Sequence, residues 1–386
     1  MDIIKTDREY VAGTYARAPL VAISGAGAQI TDETGKEFID LGSGIGVNIF
    51  GACDEQWVSA VEAQLHRLQH LSNLYYTEPQ AALARLLCEK TGMKKVFFGN
   101  SGAEANECAI KCARKYSADK YGPGRSAIIT LENSFHGRTL ATLTATGQED
   151  MHVHFGPFPE GFKYAPANDL AALEALCDGS VCAVMIELVQ GEGGVIPLDG
   201  AYVGQIARLC ADQDILLIAD EVQTGNGRTG TLYAYMQYGV SPDIVSTAKG
   251  LGGGLPLGCT LLGAKLENTL SAGTHGSTFG GNPVCAAGAL SILSRLDEPL
   301  FAEIRRQSTY IKAQLEGAEG VKSVTGLGLM LGVDTEKDAK TIAAQCLEKG
   351  VIVLTAKNKV RLLPPLNITR KQLEKAIRIL KGVIAE

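Results

Sequence analysis

The stretch DIVSTAKGLGGG, residues 243–254, places a lysine between a strand-like apolar run and a glycine-rich turn. The apolar run over 244–248 is typical of a buried strand, and Lys249 follows it directly. This lysine could be a solvated surface charge, a phosphate ligand or a covalent nucleophile. A phosphate loop of the GxxxxGK[ST] type does not fit, because Gly250 follows the lysine. The residues that the fold brings beside Lys249 therefore decide its role.

Strand-like and helix-like segments alternate on both sides of this stretch. The strand-like segments include KKVFFGN (94–100), SAIITLENSF (126–135), VCAVMIELVQ (181–190) and ILLIADEV (215–222). Such alternation predicts an α/β fold, in which helices cover both faces of a mostly parallel sheet. Beyond residue 299, helical segments enclose three short strand-like runs: GLGLMLGVD (326–334), VIVLTA (351–356) and KVRLLPP (359–365).

We therefore expect three parts in the chain. Residues 1–45 form an N-terminal segment that packs with the small domain and contains a hairpin around the turn 32–35. Residues 46–298 form a large domain that binds the cofactor, and residues 299–386 form a small C-terminal α+β domain. A chain of 386 residues is long enough for this organisation.

Composition excludes several classes of protein. The net charge is -6 and there is no dense run of Lys and Arg, which argues against nucleic-acid binding. The first residues lack the apolar core of a secretory signal, and no apolar run of ~18 residues could span a bilayer, so we expect a cytoplasmic protein without membrane contact. The ten cysteines form no CxxC pair, which predicts reduced, mostly buried thiols and no metal site.

Two ionisable residues follow predicted strands and are expected to lie close together. Asp220 ends the run ILLIAD and is followed by Glu221, while Lys249 directly follows the run IVSTA. Ligands of open α/β sheets bind beyond the carboxyl ends of the strands. A lysine in a dry pocket becomes a usable amine nucleophile, and a carboxylate can keep a heterocyclic nitrogen protonated. Pyridoxal phosphate requires both groups.

The segment FFGNSGAEANE (97–107) supplies a candidate phosphate site. It reads as a strand, then a turn of small residues over 100–103, and then a helix. The free N–H groups and the dipole at a helix N-terminus favour an anion. A plain strand–helix turn capped by Ser101 explains the same residues equally well.

Four motifs together resemble the class III (subgroup II) pyridoxal-phosphate aminotransferases, which have the type I fold of pyridoxal-phosphate enzymes. These motifs are SFHGRT, DEVQTGNGRTG, AKGLGGGLPLG and THGSTFGGNP, in that order, and the resemblance extends over nearly the whole chain. Within the family, SNLYYTEPQ and FHGRTLATLTATGQ are most similar to the branch that acts on acetylornithine. The resemblance implies a homodimer with a shared active site.

The family roles carry over to matching positions. The resemblance implies that Lys249 binds the cofactor covalently and that Asp220 pairs with the pyridine nitrogen. It also implies that Val222 and Phe135 contact the two faces of the ring, while Gln223 donates to the phenolic oxygen. The remaining implied cofactor ligands are Ser101, Gly102, Ala103, Glu187, Glu221 and Thr278, the last from the partner subunit.

The resemblance also implies a substrate site with two carboxylate-binding arginines. Arg138 would bind the substrate carboxylate far from the reacting amine, where a planar guanidinium suits bidentate binding. Glu192 and Arg361 would form a gate, in which the glutamate covers the arginine until 2-oxoglutarate or glutamate binds. Ser277 and Tyr15 would lie at the substrate mouth.

The expected reaction transfers the terminal amine of N2-acetyl-L-ornithine to 2-oxoglutarate, a step of arginine biosynthesis. The products would be N-acetyl-L-glutamate 5-semialdehyde and L-glutamate. Ornithine, succinylornithine, 4-aminobutyrate or an acetyl-lysine analogue remain open as donors. An aminomutase and a non-catalytic cofactor-binding regulator are the alternatives outside this class. The arginine pair argues against the aminomutase, and the Lys249/Asp220 pair argues against the regulator.

Overall fold

A computed structural model of the chain describes residues 2–386. The helices are α1 (Ile3–Tyr10), α2 (Ser43–Gly46), α3 (Glu55–Leu65), α4 (Glu78–Thr91), α5 (Gly102–Tyr121), α6 (Leu140–Ala145), α7 (Leu170–Leu176), α8 (Gly200–Asp212), α9 (Pro283–Leu293), α10 (Glu298–Leu315), α11 (Ala339–Glu348) and α12 (Arg370–Ala385). The strands are β1 (Ala22–Ala26), β2 (Gln29–Asp32), β3 (Glu37–Asp40), β4 (Lys95–Gly99), β5 (Ala127–Leu131), β6 (Phe162–Ala165), β7 (Val181–Glu187), β8 (Val189–Gln190), β9 (Ile196–Pro197), β10 (Leu216–Asp220), β11 (Ile244–Thr247), β12 (Gly258–Leu262), β13 (Val321–Leu327), β14 (Met330–Thr335), β15 (Val351–Ile352), β16 (Leu354–Ala356) and β17 (Lys359–Leu362).

A seven-stranded sheet forms the centre of the molecule, in the order β4-β12-β11-β10-β7-β5-β6. The strands from β11 to β6 are parallel, and β12 runs antiparallel to both of its neighbours. β5, β7, β10, β11 and β12 are buried at every position, as expected of strands covered on both faces. The predicted α/β class with a mostly parallel, mixed sheet is confirmed.

The N-terminal and C-terminal parts of the chain share a second sheet, with the order β1-β2-β3-β15. The hairpin predicted around residues 32–35 is confirmed by the antiparallel pair β2–β3. β15 pairs in parallel with β3, so the start of the chain contacts its last quarter through backbone hydrogen bonds. The three domain ranges stay predictions, and Met1, at the start of the first range, lies outside the described residues.

Two strand predictions in the last quarter were wrong in detail. GLGLMLGVD was expected to form one strand, but the chain reverses within it, between β13 and β14. Gly328 turns with φ +54, and a Cβ there would lie 2.4 Å from the carbonyl carbon of Thr229, so only glycine fits. VIVLTA was also expected as one strand. Instead β15 joins the N-terminal sheet, while β16 pairs with β17 in the sheet β13-β14-β17-β16.

The cysteines agree with the prediction of buried thiols. Seven of them are buried, Cys88 and Cys177 are half-buried, and Cys53 is exposed. Within residues 2–386, no group of three His, Cys, Asp or Glu side chains is placed to hold a metal ion. The helices of this part of the chain are all too short or too polar to cross a membrane.

Candidate active site

The site is built at the carboxyl edge of the central sheet. Asp220 is the last residue of β10 and pairs in register with Glu187 at the end of β7. On the other side, β11 ends at Thr247, and Lys249 follows two residues later. Lys249 has a left-handed backbone with φ +45, a conformation that costs free energy in a residue other than glycine. The fold therefore brings the two predicted ionisable residues to one edge.

A cavity of about 450 Å³ lies at this edge. It is enclosed by β-strand ends, the N-terminus of α5 and the loops that follow β5, β10 and β11. The predicted site residues that line it are Ser101, Gly102, Ala103, Phe135, Arg138, Glu187, Asp220, Val222, Gln223 and Lys249. Segments nearly 150 residues apart in sequence thus meet around one space.

Lys249 is half-buried in the wall of the cavity. Desolvation by the surrounding protein lowers its pKa from 10.5 to about 8, and the positive charge of Arg361 acts in the same direction. The carboxylates of Glu192, Asp220 and Glu187 oppose this effect without cancelling it. A lysine with such a pKa is neutral in a far larger fraction of molecules near physiological pH than an ordinary lysine, so its amine can act as a nucleophile or a base.

Asp220 is buried and held by three nitrogen atoms. Its Oδ2 lies 2.7 Å from Nδ2 of Asn106 and 2.8 Å from Nδ1 of His136, and its Oδ1 accepts a bond from the N–H of Val222 at 3.0 Å. The side chain of Asp220 is 3% exposed and that of His136 is fully buried.

Glu187 is the second buried carboxyl group of the site. Burial raises its pKa from 4.5 to about 7, opposed by His136 and assisted by the negative charge of Asp220. Its Oε1 accepts a bond from the N–H of Phe135 at 2.8 Å, and its Oε2 accepts one from Gly191 at 3.2 Å. Glu187 thereby connects the loop after β5 with the loop after β8.

The N-terminus of α5 forms one wall of the cavity. Ser101 caps the helix, because its Oγ accepts a bond from the N–H of Glu104 at 3.1 Å. A Cβ at Gly102 would lie 2.6 Å from Cγ1 of Val222, so glycine lets the helix start approach the loop after β10. The helix is 20 residues long, and its dipole favours an anion at this end.

Phe135 and Arg138 also line the cavity, in the loop after β5. The Phe135 ring is half-buried, and the guanidinium carbon of Arg138 lies 5.5 Å from its centroid. Arg138 is exposed, and none of the ion pairs formed by residues 2–386 includes it. Its guanidinium is therefore available to a carboxylate in the cavity.

Glu192 and Arg361 form an ion pair beside the cavity, with Arg361 Nη1 2.6 Å from Glu192 Oε1. Burial acts to raise the pKa of Glu192, but the charge and the hydrogen bond of Arg361 outweigh it, so the pKa is lowered. Gln223 Nε2 also donates to Glu192 Oε1 at 3.2 Å. Arg361 is 3% exposed, so Glu192 occupies the accessible side of a buried guanidinium.

Four predicted residues lie elsewhere. Glu221 is a neighbour of Asp220 but does not line the cavity; its carboxylate accepts bonds from the Thr224 hydroxyl and the Tyr235 N–H. Residues that alternate along a strand point to opposite sides, which explains why Glu221 is turned away. Ser277, Thr278 and Tyr15 also lie outside the cavity wall, and Tyr15 is 73% exposed.

Two residues of the site were missed from the sequence. His136 stands inside the quoted motif SFHGRT, and Asn106 lies in the first turns of α5. Both line the cavity and both contact Asp220. The available signal was a polar residue on a helix face that is otherwise small and apolar, because Ala105, Cys108 and Ala109 are fully buried around Asn106.

Comparison with known proteins identifies the family. The profile described as Aminotransferase class-III matches residues 10–384. The chain is 52% identical to an acetylornithine aminotransferase of Haemophilus ducreyi, over 100% of this chain and 98% of that protein. The chain therefore belongs to the class-III aminotransferases.

Solved structures give the same fold. An N-acetylornithine aminotransferase from Stenotrophomonas maltophilia superimposes with a TM-score of 0.87 at 36% identity, covering 99% of this chain and 98% of that one. An ornithine aminotransferase from Toxoplasma gondii, whose structure has partial occupancy of PLP, superimposes with a TM-score of 0.94 at 32% identity. The match covers 99% of this chain and 93% of that one. The backbone is similar to that of both an acetylornithine and an ornithine aminotransferase, whereas the sequence identity is higher with the acetylornithine aminotransferases.

Proposed function

We propose that this aminotransferase moves the terminal amine of N2-acetyl-L-ornithine to 2-oxoglutarate, with pyridoxal 5'-phosphate as its cofactor. The products are N-acetyl-L-glutamate 5-semialdehyde and L-glutamate. The observation that carries the reaction class is the joint presence of Lys249 and Asp220 in one cavity. The donor is supported by the 52% identity with an acetylornithine aminotransferase over the whole chain.

The residues of the cavity fit the cofactor. The N-terminus of α5, with Ser101, Gly102 and Ala103, suits its phosphate, and Phe135 and Val222 offer apolar contacts to a flat ring. Gln223 suits the phenolic oxygen, and Asp220 is an ionisable partner for the ring nitrogen. When bound, pyridoxal phosphate supplies an electron sink for the charge left by a departing proton.

Lys249 is proposed to act twice. Its amine, with the pKa lowered to about 8, would hold the cofactor until the donor amine takes its place. The freed amine would then carry the proton that leaves the amine-bearing carbon of the donor. Asp220, at the carboxyl end of β10, would pair with the ring nitrogen of the cofactor.

Two arginines are proposed to bind the substrates in turn. Arg138 binds the carboxylate of acetylornithine, which lies far from the reacting amine. During that half-reaction Arg361 stays covered by Glu192, as the 2.6 Å ion pair in the structure supports. 2-Oxoglutarate brings a second carboxylate, which displaces Glu192 and takes Arg361. One site can thus alternate between two substrates of different charge.

The active site is proposed to be completed by a second copy of the chain. Thr278 is exposed and Ser277 lies outside the cavity wall, although the family motif gives both a place at the site. Leu74, Tyr76 and Phe279 are 85%, 102% and 60% exposed, which suits a surface covered by another subunit. A cytoplasmic homodimer that serves arginine biosynthesis is the resulting proposal.

The test is an absorbance titration of the purified holoenzyme. Acetylornithine should convert the cofactor to its pyridoxamine form, and 2-oxoglutarate should restore the starting spectrum. Ornithine, succinylornithine and 4-aminobutyrate, added to parallel samples, should react more slowly. A faster reaction with ornithine would overturn the donor assignment, and a spectrum that no amine changes would overturn the function.

A further inference from the structure

Residues 274–280, here called the threonine segment, carry Thr278 outside the cavity of their own subunit. The segment has no helix or strand, and Thr278 is exposed near its centre. The proposed function gives Thr278 a place at the site of the partner subunit but does not say what holds it there. Side-chain contacts from the rest of the chain fix the segment on both sides of this threonine.

The side that follows Thr278 is held by two asparagines. Asn73 Nδ2 donates to the carbonyl oxygens of Ser277 and Gly280, at 3.1 and 2.8 Å. Asn100 Nδ2 donates to Ser277 Oγ at 3.2 Å. These contacts need no charge, so they hold this side of the segment at any pH at which the protein is folded.

The side that precedes Thr278 is held by a contact between a lysine and a histidine. Lys111 Nζ lies 2.8 Å from His275 Nδ1 and 3.5 Å from the carbonyl oxygen of Thr274. An ammonium group can only donate, so Nδ1 accepts and the ring is neutral, with its proton on Nε2. The ring also packs against Phe97, with the centroids 4.5 Å apart. His275 thus joins the segment to both α5 and β4.

The surroundings of His275 favour the neutral ring. Burial lowers its pKa, and the positive charge of Lys111 acts in the same direction. Glu107 and Glu104, also on α5, oppose this effect without cancelling it. A neutral ring accepts a hydrogen bond from the lysine, whereas a protonated ring would bring two positive charges together. The contact is therefore present at physiological pH and is lost in acid.

We propose that Lys111 and His275 are positioning residues that hold Thr278 where it binds the cofactor phosphate of the partner subunit. The inference rests on the proposed function, which supplies both the cofactor and the second copy of the chain. Neither residue lines the cavity, so both act through Thr278. One helix would then serve two cofactors. The N-terminus of α5 faces the phosphate in its own subunit, and Lys111 supports the ligand of the other.

The first experiment compares Lys111→Met with Lys115→Met. Lys115 lies one turn further along α5 and pairs with Asp119, so it is the matched control. Equilibrium dialysis gives the Kd of pyridoxal phosphate, and phosphorus-31 NMR reports on the bound phosphate. We expect Lys111→Met to raise the Kd about fivefold, as for one partly exposed charged contact, and to shift the phosphate signal. Lys115→Met should match the wild type. Wild-type values in Lys111→Met would overturn the proposal.

The second experiment uses pH and His275→Gln, whose amide oxygen can accept from Lys111 without titrating. The ratio of the wild-type Kd to that of His275→Gln should rise as the pH falls from about 8 to about 5. Taking the ratio removes the titration of the cofactor itself, which both proteins share. A ratio that does not change with pH would contradict the role of the neutral ring and overturn the proposal.

The third experiment identifies the subunit that is served. Heterodimers are purified through two different tags, and Lys249→Ala inactivates one site in each. With Lys111→Met and Lys249→Ala on one chain, the working site should need about fivefold more cofactor for its half-maximal rate. With the two substitutions on different chains, it should need as much as the wild type. Equal requirements in the two heterodimers would overturn the proposal.

Failure of the proposed function is recognised separately in these experiments. The wild type would then bind no pyridoxal phosphate, form no dimer or transfer no amine. A wild-type dimer that does all three, together with a Lys111→Met enzyme that binds the cofactor equally well, would contradict this inference only.

Discussion

The two edges of the central sheet use the same residue types in opposite ways. At the amino edge, Lys265 lies 3.3 Å from Asp243 and 3.6 Å from Asp214, and 40% of its side chain is exposed. Partial burial acts to lower its pKa, but the two carboxylates outweigh it and the pKa is raised. At the carboxyl edge, the pKa of Lys249 is instead lowered to about 8.

The difference lies in how the carboxylates are held. Asp220 accepts hydrogen bonds from a backbone N–H group and from the side chains of Asn106 and His136, and Glu187 accepts them from backbone N–H groups. Neither carboxyl group forms an ion pair with Lys or Arg within residues 2–386, so neither is bound to the lysine. Opposite charges paired in solvent stabilise a protein little, whereas unpaired buried charges are maintained where function requires them.

Replacement of each lysine by alanine should give the largest difference in activity between the two edges. Lys249→Ala should reduce amine transfer by on the order of 10⁴-fold, because it removes the nucleophile and the proton carrier together. Lys265→Ala should leave the transfer rate unchanged. Steady-state rates with acetylornithine and 2-oxoglutarate measure both variants. Equal losses in the two would remove the distinction between the edges.

The aspartates give the next largest contrast. Asp220→Asn keeps the shape of the side chain but removes the charge that faces the ring nitrogen, so kcat should fall by about 10²–10³-fold. Asp243→Asn, at the amino edge, is the matched control and should retain wild-type kcat. Single-turnover spectra of the first half-reaction would report the change directly. An active Asp220→Asn enzyme would disprove the role assigned to this carboxylate.

Glu221 tests the cost of a buried carboxyl group that has no place in the cavity. Its pKa is raised by burial from 4.5 to about 7. The folded state therefore binds the carboxyl proton of Glu221 more tightly than the unfolded state does. The stability that this proton contributes is complete below pH 4.5 and is lost as the pH rises through 7. The wild type should therefore lose roughly 3 kcal/mol of folding stability at high pH, and Glu221→Gln, which has no carboxyl group at this position, should not.

Thermal unfolding of the apoprotein measures the Glu221 effect. The midpoint of Glu221→Gln, relative to the wild type, should rise between about pH 5 and about pH 8. A midpoint difference that is independent of pH would show that Glu221 ionises normally in the folded protein.

The Glu192–Arg361 gate should have a smaller effect, on the selectivity between amino donors. Glu192→Gln removes the negative charge that covers Arg361, so glutamate should compete better as a donor. The ratio of kcat/KM for acetylornithine to that for glutamate should fall by about tenfold, the effect of ~1.4 kcal/mol. Glu374→Gln, which breaks an exposed ion pair with Arg370, is the control and should leave the ratio unchanged.

The smallest expected effect is on the stability contributed by the amino edge. Lys265→Ala should lower the free energy of unfolding by less than about 1 kcal/mol, because its side chain remains partly exposed in both ion pairs. Urea unfolding measures this difference. A loss of several kcal/mol would show that the amino edge is also a buried electrostatic site.

The sequence predicted the fold class because strands buried on both faces are continuous apolar runs, as in β7 and β10. It did not predict β12, a run of five residues that lies antiparallel between β11 and β4, since its pairing is decided by tertiary packing. The reversal at Gly328 was missed for a similar reason. The close approach of this glycine to Thr229 cannot be read from local sequence.

The position of Asp220 and Lys249 at one sheet edge followed from the rule that ligands bind at the carboxyl ends of strands. The contacts of Asp220 did not, because Asn106 and His136 are 114 and 84 residues away from it. Glu221 shows the opposite case. Neighbouring residues of an extended chain point to opposite sides, so Glu221, directly after β10, is expected to face away from Asp220, whereas the family pattern placed it at the cofactor.

The attachment of the cofactor to Lys249 is the central claim, and one measurement tests it directly. The holoenzyme is reduced with borohydride, which fixes the cofactor to the amine that holds it, and the digested protein is analysed by mass spectrometry. The account predicts a phosphopyridoxyl group on the peptide that contains Lys249 and on no other lysine. A modified Lys265, or an unmodified Lys249 in active enzyme, would contradict it.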